Sequence, residues 1–202
     1  MKVNRNNDVL RLDILESYGL LDSPQEKLYD DITSLAASIC NAEICVITLV
    51  SETKELYPSH YGINSTKALL ETSFFQYMIT NNTRELIVED TTKDQRFFED
   101  TWVISHPNIN FFAGVLLISP TNIPFGILSV MDSKPKKFNS HQSKALHTLA
   151  QQIIQLFELR KTTARFEKTK AELKSKEELL NSIIESTKIG VWKWEKISDF
   201  IP

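Results

Sequence analysis

The stretch FFAGVLLISPTNIPFGILSVMDS, residues 111–133, decides the fold. Its two ends are apolar runs of strand length, and the middle, SPTNIPFG, holds the Pro, Asn and Gly of a tight connection. That order reads as an antiparallel hairpin. Neither arm alternates apolar with polar residues, so each arm is expected to be covered on both faces. EICVITLVSE (43–52) behaves in the same way. It sets Ile44, Val46 and Val50 on one side and Cys45, Ile47 and Leu49 on the other. ELYPSHYGI (55–63) and ELIVED (85–90) read as weaker strands.

A sheet covered on both faces needs two covers, and the chain offers two kinds. One is helical. In DSPQEKLYDDITSLAASICNA (22–42), Asp22 or Ser23 suits a cap and Pro24 suits a first turn. Leu28, Ile32, Leu35, Ala36 and Ile39 then recur at helical spacing as an apolar stripe. A second helix is expected from near Asn139. The other cover must come from residues 63–110, which are too short and too polar for a full helical layer. Loops and short helices curling over the sheet leave a cavity, a common place for a small ligand.

From Ser140 to about Ser186 there is no Pro or Gly. A helix of that length runs roughly 65–70 Å, further than one small domain extends. Leu159, Phe166, Leu173 and Leu180 recur every seventh residue, one seam of a heptad. The companion positions Thr163, Lys170 and Glu177 are polar before Ile184, so the coil is expected to be weak. A partner helix, in a homodimer, is the simplest cover for the seam. Beyond it, Ile189, Val191 and Trp194 read as the first strand of a further domain.

At this point the residues carry a family likeness. YGLLDSPQEKLYDDITSLAASICNAEICVITLVSE (18–52), EDTTKDQRFFEDTWV (89–103) and the segment from Asn108 through the hairpin to Ile153 resemble the GAF domains of bacterial sensor histidine kinases and diguanylate cyclases. KEELLNSIIESTKIGVWKWE (176–195) looks like the helix-to-strand entry of a PAS domain. The resemblance implies an α+β fold: a central antiparallel sheet of about six strands, helices on one face, a loop-covered pocket on the other, and a long C-terminal helix. It divides the chain into a sensory domain (1–160), a signalling helix or weak coiled coil (161–186) and the truncated start of a PAS-like domain (187–202).

The candidate pocket residues follow from these readings. ETSFFQYMI (71–79) brings three rings together, Phe74, Phe75 and Tyr77. They either fill the space or offer ring faces to a planar or apolar ligand. Many relatives carry Cys and His where this chain has Phe75 and Tyr77, so the likeness implies no thiol-linked bilin and no Cys/His metal site. Relatives also often carry Cys at Ser129, in a strand that includes Met131. Asp90, Asp94 and Arg96 lie close in sequence, and an Asp94–Arg96 pair suits a loop lock or an anionic ligand. Phe97 and Phe112 complete the set.

The remaining chemistry is excluded more simply. His60, His106, His141 and His147 are scattered, and no glycine-rich phosphate loop or nucleophile elbow occurs. No catalytic residue is assigned, no cofactor is expected, and only an unidentified small-molecule ligand is left open. The net charge of -3 gives no pull toward nucleic acid, and no apolar run is long enough to insert into a membrane. Two cysteines without metal spacing fit a cytoplasmic protein. The expected function is a sensory module of a two-component or cyclic-di-nucleotide protein. The alternatives are a purely structural dimerisation module with a filled pocket and, more remotely, a thiol-dependent small-molecule reductase.

Overall fold

The computed structural model describes residues 5–20, 27–51, 55–63, 73–105 and 107–187. The helix-start signals at Asp22, Ser23 and Pro24, and the PAS-like strand around Ile189, lie outside the described residues. The elements in chain order are α1 (Arg5–Ser17), α2 (Lys27–Cys40), β1 (Ile44–Val50), β2 (Glu55–Tyr61) and α3 (Ser73–Thr80), then β3 (Glu85–Val88), α4 (Thr101–Ile104), β4 (Phe111–Ile118), β5 (Pro124–Asp132) and α5 (Ser140–Thr187).

Five strands form one antiparallel sheet in the order β2-β1-β5-β4-β3. That is one fewer than the resemblance implies, counted among the described residues. The expected hairpin is β4–β5. Its turn is closed by Asn122 N–H donating to the Ser119 carbonyl at 2.8 Å, with Asn122 at φ 63°, a conformation asparagine tolerates. The central strands β1, β4 and β5 are buried on both faces, as their unbroken apolar runs require.

The alternation of the strands builds two cores. Cys45, Ile47, Leu49, Ala113, Val115, Leu117, Leu128 and Val130 face the helices. There α5 inserts Leu146, Ala150, Ile153 and Phe157, and α1 adds Leu15. Phe157 is the hub, with the rings of Tyr29, Tyr18 and Phe125 at 5.3, 5.6 and 6.1 Å. The start of α5 is capped by Asn139, whose Oδ1 accepts from the backbone N–H of His141 and Gln142 at 3.0 Å each.

Two helical features differ from the sequence reading. α1 has no counterpart in it. α2 turns a different face inward: Tyr29, Thr33, Ala36, Ala37 and Cys40 are buried, whereas Leu28, Leu35 and Ile39 are exposed. The cause is local. Ser59 of β2 donates to Asp30 Oδ1 at 2.6 Å and shares a 2.9 Å hydrogen bond with the Thr33 hydroxyl, and this buried network fixes the rotation of α2. The alanines on the inward face then admit close approach to the sheet.

The chain divides into two compact units, Met1–Lys161 and Thr162–Pro202. The first contains the sheet and both hydrophobic cores. Of the second, the described part is the continuation of α5 to Thr187, with each residue described for burial, 162–185, exposed.

Candidate functional site

The second core lies on the opposite face of the sheet. Ile44, Val46, Val50, Leu86, Val88, Phe112, Leu116, Ile127 and Met131 face α3, Phe97, Trp102 and Ile109. α3 is only eight residues long and turns Phe74, Phe75 and Met78 toward the sheet. It ends with Thr83 N–H donating to the Met78 carbonyl at 2.8 Å while Asn82 takes φ 51°, a left-handed helix stop. Beyond β3, the chain is pinned by Thr91. Its hydroxyl donates to the Ile109 carbonyl at 2.5 Å and its N–H to the Asn110 carbonyl at 3.1 Å. Asp100 caps the short α4 through the Trp102 N–H, which delivers Trp102 and Val103 to the interior.

These elements converge on a cluster of rings. Phe74 stacks on Phe112 with centroids 4.0 Å apart and planes 7° from parallel. Phe97 meets the Phe74 ring at 4.5 Å, and Trp102 reaches it edge-on at 6.4 Å. Phe74 is 2% exposed and Phe75 fully buried. The space that Gly114 leaves in β4 is taken up by Phe112 and Ile127, since a Cβ there would sit 2.9 Å from the Phe112 ring and 2.8 Å from Ile127 Cδ1. Ser129 and Met131 occupy the same face of β5 by strand alternation. Ser129 is buried with its hydroxyl 3.5 Å from the Val46 carbonyl, and Met131 is fully buried.

At the rim, Arg96 joins the 91–100 segment to α3. Its guanidinium grips Asp94 through Nε at 2.8 Å and Nη2 at 2.6 Å, and Nη1 donates to the Tyr77 hydroxyl at 3.2 Å. It also lies 5.0 Å from the Tyr77 ring centroid and 5.2 Å from that of Phe97. The Arg96 hydrogen bond holds the Asp94 carboxyl below its ordinary range, and the same pairing raises the guanidinium still further above neutrality. Arg96 remains 38% exposed.

The candidate residues therefore separate. Phe74, Phe75, Phe97, Phe112, Ser129 and Met131 are together in the core, and Tyr77, Asp94 and Arg96 form its rim. Asp90 does not join them. Its carboxylate takes the Lys93 ammonium and the Thr92 hydroxyl, each at 2.6 Å, not Arg96, and it opens onto a surface cleft lined by Glu89, Phe138 and the rim residue Asp94. Trp102, Ile109 and Thr91 escaped the sequence reading, and so did Arg11. Arg11 is a buried α1 residue whose Nε donates to the Pro124 carbonyl at 3.1 Å and whose guanidinium sits 5.8 Å from the Phe75 ring. No spacing in RNNDVLRLDILES marks a buried arginine in advance.

Cys40 and Cys45 belong to the helical core, not to the ring cluster. Both are free thiols, and burial pushes Cys40 up to about 11 and Cys45 well above its usual value. His147 Nε2 lies 3.4 Å from Glu85. Among the described residues no three metal-ligating side chains come together, and no helix is long and apolar enough to cross a membrane.

A two-faced antiparallel sheet with a helical layer on one side and a short helix with turns on the other is an α+β architecture typical of domains in signalling sensors. The GAF domain family model matches residues 24–156, and the chain belongs to the GAF family. It is 25% identical over 122 residues to a cyclic di-GMP phosphodiesterase of Pseudomonas aeruginosa, an alignment that takes in 60% of this chain. The chain spans about a fifth, 21%, of that relative's length. Among solved structures it is similar to the GAF domain of an Acinetobacter phosphoenolpyruvate-protein phosphotransferase (TM-score 0.55, 18% identity, 77% of this chain and 98% of that one). It is also similar to GAF3 of a Synechocystis protein (TM-score 0.56, 14% identity, 69% and 97%). A domain assigned to a two-component sensor histidine kinase of Sinorhizobium meliloti has a TM-score of 0.54 at 13% identity, covering 73% and 99%. At these identities the three structures speak for the fold alone.

Proposed function

We propose that this chain is the regulatory GAF module of a larger signalling protein, acting as a cytoplasmic homodimer whose α5 helices carry its conformational state to an output domain. The observation that carries the reading is the continuity of α5. Leu146, Ala150, Ile153 and Phe157 are part of the helical core, and the same unbroken helix presents Leu159, Phe166, Leu173 and Leu180 to solvent. Seven residues fall about 20° short of two full turns, so these four side chains stay close to one side. A displacement of the domain core thus moves a seam whose polar companions, Lys170 and Glu177, keep alternative packings close in energy. The sequence relative is a cyclic di-GMP phosphodiesterase, which supports an output in cyclic-di-nucleotide signalling. Sedimentation of the F166E/L173E chain tests this. The expected result is a dimer dissociation constant weakened more than about tenfold, by charge placed in an apolar seam. An unchanged constant removes α5 from the mechanism.

A second reading concerns what moves the core. The exposed Arg96 between the Tyr77 and Phe97 rings favours a planar, anionic small molecule entering at this rim. Phe74 then has to leave Phe112 to make room. Native mass spectrometry of protein purified from its own host checks it: a retained molecule supports ligand sensing, and a bare chain supports a module filled by its own rings.

A further inference from the structure

Among the described residues, one corner of the sheet is bare where β3 is shorter than its neighbour. β3 pairs with β4 only as far as Glu85 and Val115, and the Leu116 N–H still reaches the Arg84 carbonyl at 3.0 Å. Ile118 has a paired neighbour on β5 alone, Pro124. By strand alternation its N–H points as that of Leu116 does, away from β5 and into the bare corner. α5 passes beside this corner with His147, Ala150, Gln151 and Ile154, whose steps of three, one and three residues share one side of a helix. Between strand edge and helix lies a notch of about 330 Å³, at the small end of the range for ligand pockets. It straddles the sheet edge, since Val115 belongs to the helical core and Leu116 to the aromatic one.

The notch has an apolar floor and a rim of donors. Val115, Ala150 and Ile154 line the floor. At the rim, the Arg84 guanidinium has a single polar partner among the described residues, Asn122 Oδ1 at 3.2 Å. That partner is a neutral amide, so the cation meets no carboxylate and most of its donors are unused. The Gln151 side-chain amide likewise has no protein partner among the described residues. The neighbouring acid, Glu85, is engaged elsewhere. Its Oε1 accepts from the Ser143 hydroxyl at 2.6 Å and lies 3.4 Å from His147 Nε2. We propose that this notch binds a small monocarboxylate with a short aromatic or aliphatic body. The carboxylate is taken by the Arg84 guanidinium and the Ile118 N–H, and the body lies on Val115, Ala150 and Ile154. A guanidinium suits a carboxylate because parallel N–H groups meet both oxygens. An inorganic anion would leave the apolar floor uncovered, and a neutral amide would forfeit the charge. The site is separate from the Phe74 ring cluster and from Arg96. A ligand here touches the His147–Ile154 part of α5 and displaces none of those rings, so the proposal does not depend on the function proposed above.

An amide NMR titration of the full chain with sodium benzoate tests the site. Benzamide serves as the uncharged match in shape, and inorganic phosphate as the anion without a body. Benzoate is expected to give saturable shifts at the amides of Ile118, Gln151 and Ile154, and both controls are expected to bind at least about tenfold more weakly. R84Q is expected to weaken benzoate binding more than about tenfold while leaving the circular dichroism unchanged, because the Arg84 side chain is exposed. The absence of a saturable response to benzoate up to about 10 mM overturns the proposal. So does an equal response to benzamide or phosphate, or undiminished binding in a folded R84Q chain. Shifts confined to α3 and residues 91–100 place benzoate at the Arg96 rim and overturn it as well.

Discussion

The two faces of the sheet are covered by unlike means. The helical face is closed by long elements whose buried residues recur with helical periodicity and interlock at Phe157, which has three rings around it. The aromatic face is closed by an eight-residue helix and a run of turns; Phe74 also has three rings around it, and the turns are held by the buried Thr91 hydroxyl and by the Arg96 hydrogen bonds at the surface. The first cover is part of the cooperative core. The second has the marks of a segment that opens by itself: short elements and solvent-exposed hydrogen bonds. Under the function proposed above the difference has a use: one face responds while the other transmits through α5.

Substitutions weigh the two faces against each other. Phe157→Ala is expected to have the largest effect, a loss of about 3–5 kcal/mol in urea denaturation, since rigid helices cannot collapse into the cavity. Phe74→Ala removes a side chain of the same size from the other face. It is expected at the low end, about 3 kcal/mol or less, because α3 and the turns can settle onto Phe112. Equal losses would mean that the two covers are equally firm.

The rim is a smaller lever. Asp94→Asn is expected to cost no more than about 1 kcal/mol, because Arg96 is partly exposed and screened by solvent. Its pH signature has a definite sign. The Asp94 carboxyl is held below its ordinary value in the folded chain, so its contribution is present above the unfolded value of about 3.9 and lost as pH falls through the lowered folded value. Comparing the acid limb of stability for the parent and Asp94→Asn isolates it. The smallest effect falls on the helical face. A thiol reagent at pH 8 is expected to label neither Cys40 nor Cys45 until denaturant is added, because burial keeps both protonated. Rapid native labelling of either would show the firm cover to be loose.

The same contrast explains how much was legible in the sequence. β1, β4, β5 and α5 were readable because two-sided burial and the uninterrupted helical run leave periodic traces in the chain. The hairpin turn was readable from its Pro and Asn. α2 was found but rotated: its largest apolar residues suggested the inward face, whereas a Thr33–Ser59–Asp30 network and two alanines set it. Such a network joins residues 29 positions apart and leaves no local pattern. On the aromatic face, Phe74, Phe97 and Phe112 were picked by type, and the Asp94–Arg96 pair by proximity. Their stacking, the pinning by Thr91 and the approach of Arg11 to Phe75 depend on tertiary contacts between segments that the sequence separates widely.

Hydrogen–deuterium exchange of the intact chain puts the difference between the faces to a direct test. The amides of α3 and of residues 91–100 are expected to exchange by local opening, well ahead of β4, β5 and the Leu146–Phe157 part of α5. Protection of α3 equal to that of β4 and β5, rising and falling together with denaturant, would contradict a face that opens independently.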